Sequence, residues 1–177
     1  GIPYVLYVYG SETVRLGHGG MGRLMRRVLE GSARVGTNSD ATSAEFRTFG
    51  VPEGRLMRVY PGVDPGRFRP GPKDPDLVKT YSLGGKRVVL TVARLDQRKG
   101  HDVVIRGLTI LRDSHPDLVY LVVGRGREEP RLKALADACG VAERVRFAGF
   151  VPAADLPAIY NLCDIFAMPN RVTEGTA

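Results

Sequence analysis

The stretch KRVVLTVARLDQRKGHD at residues 86–102 joins an apolar run to a cationic loop. The β-branched run at 87–93 is typical of a buried strand, and an amphipathic helical pattern follows at 101–113. Three cations lie between these elements: Arg94, Arg98 and Lys99. Because ligands bind beyond the carboxyl ends of strands in open α/β sheets, the stretch predicts such a sheet with an anion site, phosphate being the obvious ligand. A solvated strand-to-helix loop would carry the same charges, and this alternative stays open.

Outward from this stretch, apolar strands alternate with amphipathic helices. Strand patterns recur at 118–124, 144–148 and 164–169, with helical patterns between them at 128–139 and 153–162. This alternation predicts parallel strands joined by right-handed crossovers. Residues 77–177 are therefore predicted to form the first half of a Rossmann-like domain.

The first 60 residues show the same alternation on a smaller scale. Strand patterns at 3–9, 33–38 and 56–60 enclose helical patterns at 20–31 and from the cap Ser39 to about Phe49. Residues 1–60 are therefore predicted to be the tail of a second α/β unit. The Pro- and Gly-rich stretch at 61–76 predicts a linker between the two units. Since the pattern starts and stops abruptly, we expect a fragment of a longer protein.

The composition favours acidic partners. The chain has 177 residues, a net charge of +7 and a pI of about 9.7. This balance suits nucleic acid, anionic membranes or phosphorylated substrates, although aromatic and basic residues do not interleave as in a platform for single-stranded nucleic acid. Cys139 and Cys163 fall in apolar helical patterns without metal-ligand spacing. We therefore expect no disulfide, no metal and a reducing, cytoplasmic setting.

Two glycine motifs have to be weighed as binding sites. GHGGMG at 17–22 matches GxGxxG, and Asp40 lies near the distance of a ribose-binding acid, which would suit an NAD-dependent oxidoreductase. Seven residues separate the preceding strand pattern from the first glycine, however, whereas that fingerprint needs a tight turn. GRGRE at 124–128 does follow a strand directly. Its glycines, at a helix N-terminus, make either an anion site or a plain turn.

Four stretches in order carry a resemblance to one enzyme family. They are VYPGVDPGRFRP at 59–70, VARLDQRKGHDVVIRGL at 92–108, VRFAGFVPAADLPAIYNLCDIFAMPNR at 145–171, and Glu174-Gly175. They resemble the interdomain segment, the donor loop, the Gly-x-Val loop with its helix and strand, and the start of the Glu-x7-Glu motif of the retaining glycosyltransferases of the GT-B fold, family 4. The loop RKGHD and the stretch DIFAMPNR are especially similar to the phosphatidylinositol mannosyltransferases of actinobacteria.

The resemblance gives roles to residues of the second unit. In the family, the Arg and Lys of the donor loop hold the diphosphate of a nucleotide-sugar, a role that Arg94 and Lys99 would take. Val151 and Gly124 fall in the loops that meet the donor and its nucleobase. Glu174 is the expected catalytic residue, as the first motif glutamate. The resemblance also implies that the reaction uses no bound metal and no cofactor besides the donor, with side-chain cations stabilising the leaving diphosphate.

Two further residues correspond to the acceptor side of the family. Within YVYGSE at 7–12, Tyr9 stands where a His often touches the donor sugar, and Glu12 matches the segment. The second glutamate of the motif, expected eight positions after Glu174, would lie beyond Ala177.

The resemblance thus implies a retaining hexosyltransferase, with mannose from GDP-mannose as one expected donor and a lipid or polysaccharide as acceptor. The basic helix MGRLMRRVLE at 21–30, with Leu24, Val28 and Leu29 on one face, would either meet anionic lipid at the inner membrane face or be an ordinary solvated helix. We expect no nucleic-acid partner, and self-association through an open sheet edge. The oxidoreductase, a basic nucleic-acid-binding module and a sugar epimerase of the same fold remain alternatives.

Overall fold

The computed structural model describes residues 2–9 and 19–171 of the protein. The chain divides into two compact units, with the boundary between Val63 and Asp64. Both units are built from parallel strands and helices, which confirms the predicted α/β fold class.

The first unit is a three-stranded parallel sheet in the order β1-β2-β3. Its elements are β1 (Val5–Val8), α1 (Gly19–Gly31), β2 (Arg34–Thr37), α2 (Asp40–Thr48) and β3 (Leu56–Arg58). In the described part of this unit, the apolar core contains the buried side chains of Val8, Leu29, Val35, Phe46 and Val51. Ser39 caps α2 as predicted, because its hydroxyl accepts a hydrogen bond from the Thr42 amide at 3.1 Å.

The second unit is a four-stranded parallel sheet in the order β6-β5-β4-β7. Its strands are β4 (Arg87–Val92), β5 (Leu118–Val123), β6 (Val145–Gly149) and β7 (Ile165–Phe166). Its helices are α3 (Pro75–Thr80), α4 (His101–Ile110), α5 (Glu129–Ala138) and α6 (Leu156–Asn161). Every residue of β5 is buried, with one apolar cluster around Tyr120 and another around Leu121. This strand is therefore covered on both faces, as parallel sheets require.

The segment predicted as a linker differs from the expectation at its end. No helix or strand occurs between residues 61 and 74, but α3 begins at Pro75, two residues inside the predicted stretch. Asp74 caps this helix through the amides of Asp76 and Leu77, and proline is tolerated in a first helical turn because its missing N–H has no partner there anyway. The sequence analysis did not predict this helix.

From Asp64 onward this segment packs on the second unit. The Phe68 ring meets the Tyr160 ring edge-on at 5.9 Å, and the Arg67 guanidinium donates to the Ala153 carbonyl. Lys73 pairs with Asp164 at 2.8 Å. The role of residues 61–76 as an interdomain linker stays a prediction.

Candidate anion site at the strand ends of the second unit

Three loops meet at the carboxyl ends of β4, β5 and β6. They are residues 93–100, 124–128 and 149–152. The Leu95 amide donates to the Arg125 carbonyl at 3.0 Å, and the Gly124 amide donates to the Gly149 carbonyl at 2.7 Å. Because the links are between main chains, the loops form one continuous surface at the edge of the sheet where ligands bind in open α/β folds.

The glycines of GRGRE allow the first two loops to touch. Gly124 has φ +137°, and a Cβ there would lie 2.0 Å from the Ala93 carbonyl oxygen. A Cβ on Gly126 would lie 2.2 Å from the Leu95 carbonyl oxygen. Both positions therefore need glycine for loop packing alone. A contact between Gly124 and a ligand stays a prediction.

The cationic loop has a defined backbone. Asp96 caps a 3-10 turn at Gln97–Lys99 by accepting from the Arg98 amide at 3.1 Å. Gly100 then adopts the left-handed conformation, with φ +67°, and α4 starts at the next residue. The Arg94 side chain is exposed and that of Lys99 is half-buried. Whether both reach one anion stays a prediction.

A fourth cation near this loop, Arg127, was missed by the sequence analysis. The pKa of Asp96 is lowered, first by the hydrogen bond from the Arg98 amide, and further by the charges of Arg98, Arg127 and Arg94. Three guanidinium groups thus lie near a single carboxylate and leave an excess of positive charge. Arg98 is partly buried, with its Nε 3.9 Å from a carboxylate oxygen of Asp96. The only sequence signal for Arg127 was its place in GRGRE.

The third loop presents an aromatic ring. Phe150 is 64% exposed, and the Arg125 guanidinium lies over it at 5.9 Å from the ring centroid. The neighbouring Val151 packs its side chain against the apolar cluster around Leu121. A contact between the main chain of Val151 and a ligand stays a prediction. The flat surface of Phe150 and Arg125 was not singled out from the sequence.

A buried histidine lies beneath Arg94. The His101 side chain is hydrogen-bonded through Nε2 to the Arg94 carbonyl oxygen at 3.2 Å and through Nδ1 to the Tyr120 hydroxyl at 2.9 Å. Burial lowers the pKa of His101, against smaller opposing effects of the Arg94 carbonyl and Asp102, and burial also raises the pKa of Tyr120. His101 is therefore neutral near pH 7 and supports the backbone of the cationic loop.

The remaining predicted site residues lie elsewhere. Glu174 and Glu12 lie outside the described residues. Tyr9 is 60% exposed in the first unit, and its ring meets that of Tyr7 edge-on at 5.0 Å. Among residues 2–9 and 19–171, no three His, Cys, Asp or Glu side chains come together as a group that could hold a metal ion.

The glycine motif of the oxidoreductase alternative has an unsuitable setting. Strand β1 ends at Val8 and α1 begins only at Gly19. Gly17 and His18 fall outside the described part, and the last glycines of the motif belong to the helix itself. A dinucleotide fingerprint needs a tight turn directly after the strand, whereas residues 9–18 lie between Val8 and Gly19 in the sequence.

Comparison with known proteins identifies what the chain is similar to. A family model described as Glycosyl transferases group 1 matches residues 74–177. The GDP-mannose-dependent alpha-(1-6)-phosphatidylinositol monomannoside mannosyltransferase of Mycobacterium tuberculosis H37Rv is 38% identical over 153 residues, covering 86% of this chain and 40% of the relative. The same enzyme of Mycolicibacterium smegmatis is 39% identical, covering 80% of this chain and 39% of the relative. The chain thus spans about 40% of the length of these curated relatives.

Solved structures show the same fold. Anabaena Alr3699/HepE, crystallised in complex with UDP, superimposes with a TM-score of 0.81 at 22% identity, covering 97% of this chain and 48% of that one. WaaG, a glycosyltransferase involved in lipopolysaccharide biosynthesis, superimposes with a TM-score of 0.66 at 21% identity, covering 96% and 51%. At these identities the likeness concerns the fold alone, which is that of the GT-B glycosyltransferases.

Proposed function

The chain belongs to the group 1 glycosyltransferase family, and from that premise we propose that it is the donor-side part of a retaining hexosyltransferase, with the tail of the acceptor-side domain at its start. The observation that carries the proposal is the cationic loop Arg94–Lys99 at the carboxyl end of β4, inside the segment that matches the family model. Of the motifs that the sequence shares with the family, the donor loop follows β4 and the Gly-x-Val loop follows β6.

The chemistry follows from the charge that develops during transfer. Breaking the bond between the anomeric carbon and phosphate leaves negative charge on a nucleoside diphosphate. Arg94 suits that group through its fork of N–H donors and Lys99 as a point charge, and such preorganised cations stabilise a leaving group without a bound metal. The acceptor hydroxyl attacks on the same face, and its proton passes to the departing phosphate oxygen. Glu174 would meet the sugar hydroxyls or the developing positive charge.

GDP-mannose is the donor that the mycobacterial relatives support, because their names specify it. In this chain, the main chain at Gly124 and Val151 would meet the donor and its base. The exposed ring of Phe150 provides a flat surface next to Val151 for the base. The same relatives support a phosphatidylinositol mannoside, a lipid, as the acceptor, with Tyr9 and Glu12 on the acceptor side.

Peripheral attachment to an anionic membrane is supported by α1. Arg23, Arg26 and Arg27 are exposed on this helix. The predicted apolar face is divided, because Leu29 is buried in the core whereas Leu24 is 56% and Val28 38% exposed. Exposed leucine and valine beside arginines suit the boundary of an anionic bilayer. No helix in the described part of the chain is long and apolar enough to cross a membrane.

The proposal is tested by titrating the isotope-labelled chain with GDP, GDP-mannose, UDP-glucose and NAD and following amide shifts by NMR. We expect weak, saturable binding of guanine nucleotides, with shifts confined to residues 93–100, 124–128 and 149–152. Binding of NAD without binding of any nucleotide-sugar would reverse the choice in favour of an oxidoreductase. A steep salt dependence of binding to any DNA duplex would favour the nucleic-acid module. Product analysis with the longer protein separates transfer from epimerisation.

A further inference from the structure

The five residues that follow β7, here called the strand-exit segment (Ala167–Arg171), lie along the cationic loop. The Arg171 amide donates to the Arg98 carbonyl at 2.9 Å. A Cβ on Gly100 would lie 2.0 Å from the Pro169 carbonyl oxygen, so the two main chains are in direct contact. Strand β7 lies beside β4 in the sheet, and this order brings the two segments together.

The Arg171 side chain adds two contacts at this place. Its Nε donates to the Gln97 carbonyl at 3.1 Å, and one terminal nitrogen lies 3.1 Å from a carboxylate oxygen of Asp102. A single arginine therefore bonds to the 3-10 turn that carries Lys99 and also to the first turn of α4. The 3-10 turn is only three residues long, and the bonds from Arg171 add to the Asp96 cap and to the turn's own main-chain hydrogen bonds in fixing it.

Asp102 is nine-tenths buried, with 8% of its surface exposed. A negative charge in the first turn of a helix is favourable. Its second carboxylate oxygen is buried and has no hydrogen-bond partner among the described residues. The charge of Asp102 is thus balanced chiefly by Arg171 and by the helix N-terminus. Removing Arg171 would leave a buried carboxylate unpaired, which is costly and would favour rearrangement of the turn.

We propose that Asp102 and Arg171 are positioning residues for the donor diphosphate, an inference that rests on the proposed function of the cationic loop. Their ion pair fastens the strand-exit segment to the turn at 97–99 and keeps Lys99 at the anion site before the ligand arrives. Neither side chain needs to touch the donor. Preorganisation of this kind raises affinity because the loop does not have to be ordered on binding.

The test is a double-mutant cycle read out as the dissociation constant for GDP, measured by NMR titration of the full chain. We expect Arg171→Ala and Asp102→Ala each to weaken binding about tenfold, and the double variant to be no weaker than the weaker single one, because both act through one pair. The matched control is Arg87→Ala, which breaks an arginine–carboxylate pair with Asp117 at the amino end of β4. It should lower stability without changing the dissociation constant.

A second measurement keeps the inference testable if Arg171→Ala does not fold or if no nucleotide binds. Arg171→Lys keeps a positive charge opposite Asp102 but loses the Nε bond to Gln97. The amides of Lys99 and Gly100, which donate to Asp96 and Gln97 carbonyls, should exchange hydrogen faster in this variant without any ligand. Wild-type exchange rates there, or wild-type GDP affinity in the single variants, would overturn the positioning role. Absence of nucleotide binding by the wild-type chain, together with faster exchange in the variant, would instead contradict the proposed function.

Discussion

His101 holds the main chain of Arg94 from below, with its Nε2 3.2 Å from the Arg94 carbonyl oxygen. A carbonyl only accepts hydrogen bonds, so Nε2 carries the proton and Nδ1 accepts from the Tyr120 hydroxyl. The neutral imidazole thus fits both partners, and the side chain is 1% exposed. The main chain of Arg94, the residue expected to bind phosphate, is therefore held by a buried imidazole. That imidazole makes both hydrogen bonds in its neutral form.

This arrangement predicts a pH dependence of stability. Burial lowers the pKa of His101 below its ordinary 6.5, so below that pH the unfolded chain binds a proton that the folded chain does not yet bind. The stability that depends on neutral His101 is fully present above pH 6.5. It is lost as the pH falls from 6.5 toward the lower pKa of His101 in the folded chain. Urea unfolding between pH 8 and 5 should show wild-type stability falling more steeply than that of His101→Gln. Equal slopes for the two proteins would contradict the buried neutral imidazole.

The phosphate role of the cationic loop predicts unequal effects of its arginines. A charge-assisted hydrogen bond contributes about 1.5–3 kcal/mol, so Arg94→Ala should weaken GDP binding by roughly tenfold or more. Arg98→Ala is the matched control, because its guanidinium is already turned toward Asp96 and should matter little. The readout is the dissociation constant from NMR titration. Equal losses for the two variants would show that the loop acts only through its general charge.

The sequence predicted those parts of the site whose residues are close together along the chain. The loop from Arg94 to Lys99 was identified because strand, cations and glycine are contiguous. The contacts of His101 with Tyr120 and of Asp102 with Arg171 could not be, since they depend on β5 and β7 lying on either side of β4. Alternation of strands and helices predicts a parallel sheet but leaves the strand order open. Arg127 was missed for the same reason, because its neighbour Asp96 belongs to another loop.

Close packing of the loops predicts that Gly124 tolerates no side chain. Its φ of +137° is strained for other residues, and a Cβ would collide with the Ala93 carbonyl, so Gly124→Ala should destabilise the second unit by about 1–3 kcal/mol. Gly107→Ala is the control, because that glycine lies inside α4 with nothing within 4 Å of a Cβ. It should stabilise by up to about 1 kcal/mol through helix propensity. Thermal unfolding measures the stability of both variants. Wild-type stability of Gly124→Ala would disprove the packing argument.

The exposed face of α1 predicts binding to anionic vesicles. Leu24→Ser with Val28→Ser should reduce co-flotation with phosphatidylinositol-containing vesicles, since it removes apolar surface that would insert. Arg23→Gln with Arg27→Gln should reduce it too, and added salt should weaken wild-type binding because exposed charges are screened. Neutral phosphatidylcholine vesicles are the control. If the wild-type chain floats with neither the anionic nor the neutral vesicles, α1 is an ordinary solvated helix.

Catalysis is expected to require more polypeptide than these 177 residues. Holding donor and acceptor in register can account for about 7–11 kcal/mol of barrier reduction, and this needs both sides of the active site. The chain spans 40% of the length of its mycobacterial relative. We therefore expect no sugar transfer when the chain alone is assayed with GDP-mannose and phosphatidylinositol mannoside, while the longer protein turns over.

The edge strand β7 of the second sheet predicts self-association. Among the strands that the structure describes, β7 is an edge of its sheet. Ile165 and Phe166 on it are 53% and 48% exposed, so the strand offers unpaired backbone and apolar surface to another copy. Light scattering should show mass rising with concentration, and Ile165→Lys should suppress it, whereas Val103→Lys, an exposed residue on α4, should not. A monomer at all concentrations would refute the edge-pairing argument. Robust sugar transfer by the isolated chain would refute the separate prediction that catalysis needs more polypeptide. It would show that the second unit with its cationic loop suffices for catalysis.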